Sequence, residues 1–253
     1  MGQFDKLSYG CNSEVGTLDP KEVFMSESKT GLTKPTRMFV QFFWWLKNVA
    51  EFYPEICIDV GAAGGTPSIN RSFKDALHLA FEPQPNFMPE LRKELDGYQH
   101  EIFQMALMDR PGKMEITIPE NAYTATMISP EHRVSDDQKL SVEVSTLDAQ
   151  LAGRLDGKKV LLKTDCQGGD LNVIKGGTET LRHCDVVIME TSLYRFWGDH
   201  HPDFFDIVSY MKTQGLVVFD ILEGTFKPSN RALGQVDLVF VHENGPLRPH
   251  HRW

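Results

Sequence analysis

The chain has 253 residues, 41% of them hydrophobic, and a formal net charge of −9. This is enough apolar material for one α/β core over residues 34–253 behind a polar arm over residues 1–33, and the negative balance with scattered Lys and Arg excludes the basic face of a nucleic-acid binder. Met1–Asp5 lacks a signal-peptide start, the longest apolar run (Met38–Leu46) is too short to span a bilayer, and Cys11, Cys57, Cys166 and Cys184 show no paired spacing, so the expectation is a cytoplasmic protein without a membrane span.

Residues 36–52 predict a helix whose Phe39, Phe42, Phe43, Leu46 and Val49 form an apolar stripe. That stripe packs on the core or on a second copy, which leaves a homo-oligomer open. Ile56, Cys57, Ile58 and Val60 read as a first strand, running into the small-residue turn Gly61-Ala62-Ala63-Gly64-Gly65. Thr66-Pro67 then offers a helix start with a capping hydroxyl and a proline at its first position. Strand, small-residue loop and helix in this order let a ligand approach the backbone at a helix N-terminus. The glycine spacing departs from the dinucleotide pattern because Ala63 replaces its central glycine. Asp59 stands just before the turn. The second strand, Leu77–Phe81, ends in Glu82, about 20 residues on, where such folds place a carboxylate on ribose hydroxyls. An adenosine without a pyrophosphate suits this loop, and S-adenosyl-L-methionine carries one.

Asn86–Leu95 predicts a helix and His100–Leu107 a third strand that includes Ala106. Asp109-Arg110-Pro111-Gly112 is a turn sequence. Lys113–Pro119 and Ser141–Ser145 alternate as two added strands around the polar loop 120–140, a candidate lid or acceptor wall. Thr146–Ala152 (helix), Lys159–Asp165 (strand), Asp170–Arg182 (helix), Asp185–Glu190 (strand), Pro202–Thr213 (helix), then strands Leu216–Leu222 and Val236–His242, complete an alternation that builds a doubly wound, mainly parallel sheet.

Period-two geometry puts Lys163 and Asp165 on one face of an otherwise apolar strand, near its carboxyl end. They are candidate catalytic residues or a structural ion pair. Glu190, ending the fifth strand, and His200 or His201 in the following loop could accept a proton from a hydroxyl. His200-His201-Pro202 also reads as a plain loop ending at a helix N1 proline. Glu190 and Asp165, on neighbouring strands, could instead hold a divalent ion but have no third ligand at short spacing, and the remaining histidines form no ligand pattern.

Asp59-Val-Gly-Ala-Ala-Gly-Gly65, Phe81-Glu82-Pro83 and Leu161-Leu-Lys-Thr-Asp-Cys-Gln-Gly-Gly-Asp170, in that order and spacing over roughly residues 55–190, resemble the motifs of the FkbM family of S-adenosylmethionine-dependent methyltransferases. The resemblance implies a class I methyltransferase-like, Rossmann-like fold with an antiparallel edge strand and an N-terminal helical segment. It implies S-adenosyl-L-methionine as cofactor, with Asp59, Gly61, Ala62, Gly65, Glu82, Ala106, Asp109 and Asp165 at the cofactor, Asp109 in the place of the acid that accepts the adenine amino group. It also puts the fourth strand beside the first, so that Lys163 and Asp165 face the cleft. The implied activity is O-methylation of a hydroxyl on a sugar, glycan or secondary metabolite, and the implied partner a small-molecule or glycan acceptor. Where the family has Asn and Glu, this chain has Ala63 and Gln167, which keeps open the alternative of a non-catalytic cofactor- or glycan-binding protein on the same scaffold. A dehydrogenase is a third, weaker reading.

Overall fold

The computed structural model describes residues 37–117, 139–196, 198–199 and 201–252. The first strand, β1 (Ile56–Val60), is buried along its whole length and pairs in parallel with β2 (Leu77–Phe81) on one side and β7 (Val160–Thr164) on the other. Outside β2 runs β3 (His100–Phe103), and outside β7 runs β8 (Val186–Ser192), both parallel. Strands buried on both faces read as near-continuous apolar runs, which is why β1 and β7 stand out in the sequence. Two long strands close the sheet: β9 (Leu216–Phe226) and β10 (Leu233–His242) form an antiparallel pair. The seven-stranded order is β3-β2-β1-β7-β8-β10-β9, so the antiparallel member, β10, is inserted one place in from the edge and β9 is the outermost strand.

Alternation along the strands divides the core. Ile56, Ile58, Val60, Leu79, Val160, Leu162, Val187, Leu238 and Phe240 share one apolar cluster, covered by α4 (Leu147–Leu151), α5 (Asp170–Lys175), α6 (Thr178–His183) and α7 (Phe204–Thr213). Cys57, Leu161, Ile188 and Val239 point the other way, onto α1 (Phe39–Asn48), whose Phe42, Phe43 and Leu46 are completely buried there with Ile69 and Phe73. The aromatic part of the expected stripe is therefore core, whereas Val49, expected in it, follows the helix end and is exposed. This helix is shorter than the expected 36–52: it ends at Asn48, and Glu51 turns the chain with φ +51°. Between β1 and β2 lies α2 (Pro67–Ser72), with the expected proline at its first position, and α3 (Met88–Glu94) covers the β2 end of the sheet.

Two elements are broken where a single one was expected. The third strand stops at Phe103, and β4 (Ala106–Leu107) leaves the main sheet to pair with β6 (Lys139–Ser145), which also pairs with β5 (Gly112–Thr117) in a small sheet of three strands. The helix expected over 170–182 is parted by Gly176-Gly177 into α5 and α6. A Cβ on Gly176 would overlap the Met108 carbonyl, and one on Gly177 would meet Leu147, so the glycines admit neighbouring chain at the break. The arm over 1–33, the end of the expected strand Lys113–Pro119, and residues 120–138 of the polar loop expected as lid or acceptor wall, lie outside the described residues.

Candidate active site

The loop after β1 is shaped by close approach. Gly61 has φ +76°, and a Cβ there would overlap the Asp165 carbonyl at the end of β7, so glycine is dictated by the neighbouring strand before any ligand is considered. Ala63 adopts φ +44°, an uncommon conformation for a residue with a Cβ, and its N–H points at the Glu82 carboxylate. Gly64 and Gly65 leave room for the Glu90 and Glu94 side chains of α3. Thr66 makes no capping bond to α2; its hydroxyl instead favours the charged form of Asp59.

Glu82 follows β2 and is 3% exposed. Its Oε2 accepts from Ala63 N at 2.9 Å and its Oε1 from Gln84 N at 2.8 Å. Burial pushes the carboxyl up, against the pull of those two donors. Each oxygen keeps a further lone pair, and the group stands in the wall of an open cleft at the carboxyl ends of β1, β2 and β7. Gly61, Ala63 and Asp165 line the cleft near the strands; Phe81, Phe87, Met105, Ala106, Leu107 and Ile116 supply its apolar side, and Cys166 and Gln167 complete it. The Phe81 ring is stacked on Phe103, with centroids 4.5 Å apart.

Beneath the cleft sits a buried charge cluster. Lys163 Nζ lies 3.2 Å from Asp165 Oδ2. Burial pulls its ammonium down, but Asp165, Asp59 and Asp237 together outweigh this and hold it above the ordinary lysine range. Asp59 pairs in register with Lys163 across β1 and β7, and Asp237 with Glu190 across β10 and β8, which gathers these groups from four strands. Burial raises the carboxyl of Asp237 to about 7 and that of Asp170 to about 6. Glu190 is pushed well above the usual carboxylate range by burial and by Asp165, Asp170 and Asp237. The Gln167 amide, on a residue with φ +47°, donates to Asp165 Oδ1 at 3.0 Å and to Glu190 Oε2 at 3.2 Å.

Of the residues singled out in the sequence, Gly61, Glu82, Ala106 and Asp165 line the cleft. Asp59 and Lys163 are buried below it, Ala62 packs with Ala80 and Leu91, and Gly65 abuts α3. Asp109 stands outside the cleft, exposed in its turn and 3.7 Å from Arg110 Nε. Glu190 lines a smaller neighbouring pocket together with Asp170 and His201. His200 lies outside the described residues. Asp203, and not the residue before Pro202, caps α7, accepting from Phe205 N and Asp206 N, so Pro202 precedes the helix instead of opening it. Reading the sequence alone missed Phe87, Ile116 and Asp237. The alternation 114-116 marked a strand but not that its inner face closes the cleft, and Asp237 becomes visible only once β10 is in register with β8.

A mainly parallel sheet in this order, with one inserted antiparallel strand and a cleft at the carboxyl ends of its central strands, defines a class I methyltransferase fold. The family model for the methyltransferase FkbM domain matches residues 59–218, and the chain belongs to that family. Among solved structures, the magnesium protoporphyrin IX methyltransferase of Synechocystis PCC 6803, with bound SAM, is similar at 12% identity and TM-score 0.44, over 88% of this chain and 79% of that one. The precorrin-6y C5,15-methyltransferase of Geobacter metallireducens GS-15 is similar at 11% identity and TM-score 0.42, over 85% of this chain and 91% of that one. No curated protein matches the sequence. Among the described residues no helix is long and apolar enough to cross a membrane, and no group of three His, Cys, Asp or Glu side chains is placed to hold a metal ion.

Proposed function

We propose that the protein is an S-adenosyl-L-methionine-dependent O-methyltransferase acting on a hydroxyl of a sugar, glycan or secondary metabolite. The observation that carries the reading is Glu82: a buried carboxylate, fixed by two backbone N–H groups, beside a small-residue loop and an apolar wall. The donor set fits the cofactor. Glu82 would take the ribose hydroxyls, Phe81, Phe87, Leu107 and Ile116 the adenine, and Gly61, Ala63 and Asp165 the methionine end. When bound, S-adenosyl-L-methionine supplies an already activated methyl group, so the protein's task is to hold the acceptor in line and receive its proton. Asp165 and Glu190, joined through the Gln167 amide, are positioned to shape that acceptor side, with Lys163 balancing their charge.

Replacing Glu82 tests the reading. Glu82→Ala removes charge-assisted bonds worth about 1.5–3 kcal/mol, so S-adenosyl-L-methionine affinity should fall at least about tenfold by calorimetry. The same change strips the Ala63 and Gln84 N–H groups of their acceptor, so thermal unfolding of the variant is measured alongside. A folded Glu82→Ala that binds as tightly as the parent would place the cofactor elsewhere.

A further inference from the structure

Two aromatic rings and a cation are gathered beyond the carboxyl end of β8. Leu193 N donates to Gly234 O at 2.8 Å, which extends the β8–β10 pairing past Ser192 and sets the next residues on the edge of the sheet where the cleft opens, one strand over from β7. Tyr194 and Phe196 stand there with ring centroids 5.6 Å apart and are 39% and 41% exposed. Lys227, just past β9, holds its Nζ 4.0 Å from the centroid of the Tyr194 ring and 5.9 Å from that of Phe196. Gly234 admits this arrangement: a Cβ there would come within 3.2 Å of Lys227 Cγ and 3.3 Å of Phe196 Cζ. The neighbouring Arg195 is taken up by Asp203 and Asp206, whereas half-buried Lys227 has no carboxylate partner among the described residues. The ring quadrupoles steady the ammonium but do not neutralise it. A half-buried cation without a counter-charge, beside open aromatic surface, calls for a ligand that brings both an anion and an apolar face.

We propose that Tyr194, Phe196 and Lys227 bind a sugar ring that carries a carboxylate, with C–H groups of the ring against the aromatic pair and the carboxylate on the Lys227 ammonium, so that the acceptor is an acidic saccharide. The inference rests on the sugar or glycan acceptor of the methyltransferase reading and narrows it. A pyranose presents a face of C–H groups that carry partial positive charge and suit the negative face of an aromatic ring. Its carboxylate completes Lys227 with a charge-assisted hydrogen bond. A lipid surface fits less well. A bilayer would meet the whole loop, on which Asp199, Asp203 and Asp206 outnumber Arg195, so anionic headgroups would be repelled, whereas one carboxylate meets Lys227 alone. The site holds the saccharide and takes no part in the bond changes at the methyl group.

The test uses the full chain and two probes, methyl β-D-glucuronide and the neutral methyl β-D-glucoside, each followed by NMR titration of the chain. The expected result is saturable binding of the glucuronide, with the glucoside bound about fivefold more weakly. Lys227→Gln should bring the glucuronide down to the glucoside's affinity, and Tyr194→Ala should weaken both. Thermal unfolding checks that each variant is folded, and Phe196→Ala replaces Tyr194→Ala if the latter is not. No saturable binding in the parent, equal affinity for the two probes, or glucuronide binding unchanged in Lys227→Gln overturns the assignment. Sedimentation of the parent with phosphatidylcholine vesicles, lost in Tyr194→Ala, would give the patch to a lipid surface and overturn it too. S-adenosyl-L-methionine binding to the parent is measured separately by calorimetry. Cofactor binding without glucuronide binding removes the acidic-saccharide inference and leaves the methyltransferase reading in place. Glucuronide binding without cofactor binding removes that reading while the saccharide site stands.

Discussion

Lys163 shows how one residue reconciles burial with charge. Its side chain is 6% exposed, and the acidic groups of Asp165 just after β7, Asp59 on β1 and Asp237 on β10 keep it ionised. Removing the ammonium by Lys163→Met leaves those carboxylates without a counter-charge, at a cost of about 3–5 kcal/mol. The sign of the pH effect follows from Asp237. In the folded chain it holds its proton to about pH 7, whereas unfolded it holds it only to about pH 4; the folded state therefore binds more protons between those values, and this group's contribution falls as pH rises through them. In Lys163→Met this window widens, so urea unfolding should show a larger loss relative to the parent at pH 8 than at pH 5. Asp165→Asn is the informative contrast. Asp59 and Asp237 still face Lys163 in that variant, so its stability loss should be well below that of Lys163→Met, and a larger loss would show Asp165 to be chiefly a structural partner.

At the scale of elements, the parts that could be read from the sequence are those where one period dominates. The strands β1 and β7 announce themselves as apolar runs, and α1 by its aromatic stripe. Phe43 is completely buried, in edge contact with Phe73, so Phe43→Ala should cost about 3–5 kcal/mol in urea unfolding with an unchanged denaturant slope. A near-neutral result would remove α1 from the core. The breaks were not legible for a physical reason. Gly176 and Gly177 sit within a helical apolar pattern, and what parts the helix is the Met108 carbonyl and Leu147, both remote in sequence. Likewise His100–Leu107 alternates as one strand, and only the partner of each half, β2 or β6, shows that it is two.

For the whole molecule, the fold class and the cleft follow from order and spacing: a small-residue turn after β1, an acid after β2, and a charged pair at the end of β7 converge because parallel strands bring their carboxyl ends together. Side-chain direction was less legible. Asp59 and Lys163 belong to the motifs yet lie under the cleft, and Asp109 stands outside it, since spacing gives position along a strand but not depth below the surface. The central claim is that the cleft beside Glu82 takes an adenosyl sulfonium and not a dinucleotide. Calorimetry of the parent chain against S-adenosyl-L-methionine, S-adenosyl-L-homocysteine and NAD tests it most directly. Saturable one-site binding of the first two, with none of NAD, is the predicted result; binding of NAD with none of S-adenosyl-L-methionine would contradict it.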